Sequence, residues 1–137
     1  MMNTDTVIEV GMVLPALELP AISRTTLALF AGGSGDHNPI HIDSDFAREA
    51  GMPDVFAHGM LSMAYLGRLL TGWVEQRQIR SITVRFAAIT PVGARPRCEG
   101  TVTAVDTTTP IPTATIDLTV ELPDGTTTLR GTAVINP

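Results

Sequence analysis

Two periods divide this chain. In its first half apolar residues recur at helical spacing; from Ser81 onward they alternate with polar ones. The stretch 15–22 (PALELPAI) predicts an edge strand, the one sheet position that tolerates prolines. Ser23 is placed to cap a short helix from Arg24 to about Ala31, which Gly32, Gly33 and Gly35 would end. Asp43 or Ser44 caps a second short helix through Ala50, with Gly51 at its C-terminal end. The longest helix runs from Gly59 to about Val74, apolar at nearly every angle, so it is expected to be buried on most sides. Met52, Met60 and Met63 fall in or near it as core filler. The stretches 81–90, 97–106, 113–122 and 126–135 read as four successive strands, with turns at Pro91–Gly93 and Pro123–Gly125 and a break at Pro110 and Pro112. A long apolar helix followed by a meandering antiparallel sheet predicts an α+β architecture, the sheet wrapped around the helix.

Composition narrows this picture. At 137 residues, with no repeat or linker, the chain is one domain, and 44% apolar residues suffice for a core without disulfides or metals. A net charge of -5 excludes the clustered basic surface that nucleic acid requires. All nine basic residues are arginines; they read as surface solvation, although Arg77, Arg80, Arg85, Arg95 and Arg97 fall in one region that could meet a phosphorylated ligand. Cys98 is the sole cysteine, a packed or surface thiol rather than a nucleophile. No secretory leader or membrane-length apolar run is read, so a soluble, cytoplasmic protein is the expectation.

The polar exception to this apolar chain is Phe30–Ala47, FAGGSGDHNPIHIDSDFA, which carries Asp36, His37, Asn38, His41, Asp43 and Asp45. Gly35 and Pro39 make it a bent loop, and Asp36 and His41 can converge from either side of the Asn38–Pro39 turn. A carboxylate beside an imidazole is what proton transfer near neutral pH needs. The same Asp- and Asn-rich run is equally at home as an ordinary turn. His37, His41, Asp43 and His58 hold enough donor atoms for zinc, but Asn38 and Pro39 preclude the helical pairing of two histidines, and no metal is expected. Further on, Ala57-His58-Gly59-Met60 opens the long helix, where unpaired N–H groups and the dipole favour a developing oxyanion. Gly59 would let a ligand oxygen close to its N–H, or would simply relieve crowding at the helix start.

The run Gly35-Asp36-x-Asn38-Pro39-x-His41 and the downstream Ala57-His58-Gly59-Met60 resemble the signature of the MaoC-like, (R)-specific enoyl-CoA hydratase family, in particular its short mycobacterial-type dehydratase subunits. The resemblance spans most of the chain and implies a single hot-dog domain over 1–137. It implies Asp36 and His41 as the catalytic pair, the Gly59 N–H as oxyanion donor, Asn38 as loop support and Ser62, one turn beyond Gly59, as an assisting hydroxyl. It further implies syn addition or removal of water on an acyl-CoA or acyl carrier protein thioester with no cofactor. The expected assembly is a homodimer or dimer-based oligomer, or a heterodimer with a second hot-dog subunit, with the substrate tunnel at the interface. Two alternatives remain open. A hot-dog thioesterase is disfavoured because residues 59–72 hold no Asp or Glu, and a non-catalytic acyl-binding subunit because it has no use for an intact Asp/His pair.

Overall fold

Ser23 does cap the first helix, α1 (Arg24–Ser34): its hydroxyl accepts from the Thr26 N–H, satisfying a donor that the helix cannot. Gly32 and Gly33 do not end it. They stay helical, and the stop comes at Gly35, whose φ of 76° puts the backbone in the left-handed region. Asp43 caps α2 (Ser44–Glu49) through its carboxylate, which accepts from the Asp45 and Phe46 N–H groups. The third helix, α3, covers Gly59–Thr71, ending short of Val74. The computed structural model describes residues 1–2 and 6–137.

Five antiparallel strands form one sheet: β1 (Leu17–Glu18), β2 (Ile79–Phe86), β3 (Arg97–Asp106), β4 (Thr113–Glu121) and β5 (Thr127–Ile135), in the order β1-β3-β4-β5-β2. The expected edge strand is there, reduced to two residues. The expected meander holds only for β3, β4 and β5; β2 crosses to the far edge and pairs with β5. β2 also stops at Phe86 instead of reaching Thr90. Residues 87–94 leave the sheet to run beside the entrance of α3, where Ala57 N–H donates to Thr90 O at 2.8 Å and Phe56 bridges Pro91.

Alternation along β4 sends Ala114, Ile116, Leu118 and Val120 inward. They pack with Leu66, Leu69 and Leu70 of α3, and Cys98 is buried among them. Gly131 of β5 is squeezed: an added Cβ would stand 2.6 Å from Thr83 O. A second, smaller cluster (Ile22, Leu27, Ala47, Val55, Ala57 and Leu61) holds α1 and α2 against the start of α3. Burial of α3 is one-sided rather than general. Gly59, Met60, Ala64, Arg68 and Thr71 are exposed, a stripe at helical spacing. Met60, expected in the core, is 54% exposed. In the arginine group, Arg77 pairs with Glu75, and Arg97 with Glu18 and Glu99. Among the described residues no helix is long and apolar enough to cross a membrane.

Candidate active site

The polar loop builds itself from short-range hydrogen bonds. After the left-handed Gly35, Asp36 accepts from the Asn38 N–H through Oδ1 at 3.2 Å. Asn38 Oδ1 then accepts from the Ile40 N–H at 3.1 Å and caps a 3-10 turn, Pro39–His41, for which the proline ring presets φ. The reversal faces His41 towards Asp36, Nε2 to Oδ2, at 3.9 Å. The imidazole is almost buried and the carboxylate half-exposed, with side-chain exposures of 11% and 51%. Asn38 thus braces the loop with its side chain.

The tautomer of His41 follows from its other nitrogen. Nδ1 lies 2.7 Å from the Phe56 carbonyl oxygen, which can only accept, so Nδ1 carries the hydrogen and the neutral ring presents a bare Nε2 to Asp36. At 3.9 Å the two groups are too far apart for a direct hydrogen bond, but an oxygen about 2.8 Å from each, about 2 Å to one side of the line joining them, would bridge the pair. A water held there would face two acceptors at once, the arrangement that draws a proton from it.

His58 completes the cluster, although its residue type had suggested only a zinc ligand. It precedes α3, is 1% exposed, and stacks on His41 with ring centroids 3.9 Å apart and planes 28° from parallel. Its Nε2 lies 3.1 Å from the Asp36 carbonyl oxygen. Burial, first of all, holds its pKa below the ordinary histidine value. Donor atoms of Asp36, His41 and His58 lie within 4.8 Å of one another. They suit a metal poorly, because imidazole lone pairs lie in the ring planes and two near-parallel stacked rings do not aim them at one point. His37 and Asp43 are not part of this group: His37 is exposed, and the Asp43 carboxylate is engaged in capping α2.

Two cavities meet at Asp36. One, about 470 Å³, is lined by Asp36, Phe56, Gly59, Met60, Phe86 and Thr90, among others. The other, about 460 Å³ and almost wholly apolar, is formed by Phe30, Ser34, Asp36, Met60, Met63, Ala64 and Ile82. Gly59 opens α3, whose N-terminus has no side-chain cap; the Leu61 N–H turns back to the His58 carbonyl oxygen at 3.0 Å, and no side chain caps the N–H groups of Gly59 and Met60 ahead of it. The Phe86 ring stands beside the exposed Gly59 so closely that an added Cβ would lie 2.8 Å from it. Ser62 is fully buried, lines neither cavity, and its hydroxyl has no hydrogen-bond partner among the described residues. Sequence alone missed Phe86 and the Phe56 carbonyl, which act across the fold; His58 was marked as a zinc candidate and within the Ala57-His58-Gly59-Met60 run, but not as a partner of Asp36 and His41.

Comparison with known proteins bears on the family and the fold. The profile of a family described as MaoC like domain matches residues 9–121. The chain is 32% identical over 108 residues to 3-hydroxyacyl-thioester dehydratase Z of Mycobacterium tuberculosis, spanning 74% of this chain and 72% of that protein. It also matches the fatty acid synthase subunit beta of Saccharomyces cerevisiae at 33% identity over 53% of its own length, but spans only 4% of that protein. Among solved structures, the (R)-hydratase from A. caviae involved in PHA biosynthesis superposes with a TM-score of 0.82 at 27% identity, covering 94% of this chain and 96% of that one. A chain of the ChsH1-ChsH2 complex from Mycobacterium tuberculosis gives 0.83 at 24% identity over 95% and 98%, a likeness of fold that establishes the hot-dog architecture.

Proposed function

The chain belongs to the MaoC-like domain family, and on that footing we propose that it is a hydro-lyase acting on 2-enoyl and (R)-3-hydroxyacyl thioesters. The observation that carries this reading is the 3.9 Å approach of Asp36 Oδ2 and His41 Nε2, two proton acceptors close enough for one water to bridge. In hydration, the pair removes a proton from that water as its oxygen attacks C3 of the enoyl chain. His41, backed by the Phe56 carbonyl, holds the proton as imidazolium. The thioester oxygen gathers charge against the N–H of Gly59 at the uncapped start of α3. Delivery of the proton to C2 from the same face completes a syn addition, and dehydration retraces the path. No cofactor is needed, because both proton transfers and charge stabilisation come from side chains and backbone.

The cavities suggest how the substrate lies. The apolar one, beside Met63, Ala64 and Ile82, suits the acyl chain; the one beside Gly59 and Phe86 suits the thioester and its carrier arm, either of coenzyme A or of an acyl carrier protein. Met60 and Ala64 border the cavities and belong to the exposed stripe of α3, which supports a dimer-based assembly in which a second hot-dog unit, identical or not, closes the walls. A thioesterase reading gains nothing from α3, since no carboxylate stands on it.

The test is the ultraviolet absorbance of the enoyl thioester, followed with crotonyl-CoA and a longer 2-enoyl-CoA. Loss of the band with wild type supports the assignment; release of free thiol instead moves it to thioesterase. Folded protein inert to both substrates, alone and with candidate hot-dog partners, overturns it.

A further inference from the structure

His58 is the buried polar group for which the proposed chemistry has no direct use. The Asp36 carbonyl can only accept, so His58 Nε2 carries the ring hydrogen and donates it across 22 residues of sequence, at 3.1 Å. Nδ1 is left as a lone pair, buried and without a partner among the described residues. Ser62, one turn along the same helix, is likewise buried and unpartnered. The groups around His58 are few. Among the described residues, the loop supplies Asp36 and the 3-10 turn His41, the two charged or titratable groups that act on it, and α1 supplies the Phe30 ring at 4.8 Å.

We propose that His58 is a positioning residue: a permanently neutral Nε2–H imidazole that grips the Asp36 backbone with its edge and supports the His41 ring with its face, fixing the gap between them. The proposal rests on the Asp36/His41 reading above, but its geometry exists whether or not the chain hydrates thioesters. A proton on Nδ1 would place a buried charge with no acceptor against the ring that must itself become cationic. Burial disfavours that proton, so the His58 imidazole stays uncharged against the His41 ring. Without the grip, the Asp36 carboxylate is held only by its own Asx turn and is free to leave Nε2.

The experiment is a nitrogen-15 NMR titration of the imidazole rings, helped by there being three histidines in all, of which His37 is exposed. His58 is expected to hold the neutral Nε2–H pattern between about pH 5 and 8. In His58→Phe, which keeps the ring and loses the donor, the His37 backbone amide, which shares its peptide unit with the Asp36 carbonyl, moves from its wild-type nitrogen-15 position. The same variant loses on the order of 10- to 100-fold in kcat with a much smaller change in KM. His58→Gln, which keeps a donor at similar reach, restores part of both. Wild-type His58 titrating inside that range, or a folded His58→Phe with an unchanged His37 amide resonance, overturns the proposal. Should His58→Phe fail to fold, the wild-type titration alone decides. Wild type inactive on every thioester but showing the expected ring pattern removes the hydratase reading and leaves the role of His58 standing.

Discussion

Replacing Asp36 by Asn separates chemistry from stability more cleanly than any other change at the site. Asparagine is nearly isosteric, and its Oδ1 can still accept from the Asn38 N–H, so the Asx turn that shapes the loop survives. The carboxylate is half-exposed and 3.9 Å from His41 Nε2, so its loss costs the fold no more than about 1 kcal/mol. The effect on turnover is of another order. The variant turns one of the two acceptors of the attacking water into an amide, whose N–H₂ faces the water as a donor. A positioned acid–base group contributes roughly 10²–10⁴-fold, or about 2.7–5.4 kcal/mol of barrier. The assay is the loss of enoyl absorbance with crotonyl-CoA, run beside a thermal melt. The expected outcome is a melting temperature within a few degrees of wild type and a kcat lowered by at least about a hundredfold. A folded Asp36→Asn protein that turns over within about threefold of wild type refutes the reasoning, since so small a change amounts to less than about 1 kcal/mol of barrier.

Three further outcomes follow from the same geometry. Gly131→Ala drives a Cβ to 2.6 Å from the Thr83 carbonyl, so the β2–β5 pairing must shift; a loss of about 1–3 kcal/mol is expected in denaturant unfolding, and an unchanged midpoint contradicts the packing. Cys98 is 0% exposed and its thiol is pushed up to about 12 by burial, so maleimide labelling at neutral pH should proceed only as fast as the protein opens, and rapid labelling of native protein refutes that burial. His58 is held below its ordinary value of 6.5, chiefly by burial, so the unfolded chain binds a proton there before the folded one does. Its contribution to stability is therefore complete above about pH 6.5 and is lost as pH falls below it; His58→Gln should melt with a shallower acid slope than wild type, and equal slopes speak against a depressed pKa.

What the sequence disclosed was whatever rests on neighbours in the chain. Ser23 and Asp43 cap helices through hydrogen bonds two or three residues long, and the Asp36-Asn38-Pro39-His41 loop is held by bonds just as short, so residue type and spacing sufficed. Gly32 and Gly33 misled because glycine weakens a helix without stopping it; the stop needs the left-handed backbone that Gly35 adopts. The order of strands was not legible, since β2 chooses β5 over its neighbour in sequence by long-range pairing. His58 was hidden for the same reason: its acceptor lies 22 residues upstream, and nothing local distinguishes a histidine that grips a backbone from one that waits for zinc. Met60 read as core because its helix is apolar all round, but one side of that helix has no sheet over it.

β2 is the last strand of the sheet, and beyond it the described residues supply no further strand. The same strand brings Phe86 beside Gly59 and Ile82 into the apolar cavity, so its position sets walls on both sides of Asp36. Were a second chain to pair at this edge, its association and the occupancy of the cavities would be linked equilibria: by whatever factor pairing tightened a ligand, that ligand would tighten pairing. Dilution then becomes a probe of the site. A specific activity that falls as protein concentration is lowered, and that saturating substrate restores, reads the coupling between the strand's outer edge and its inner face.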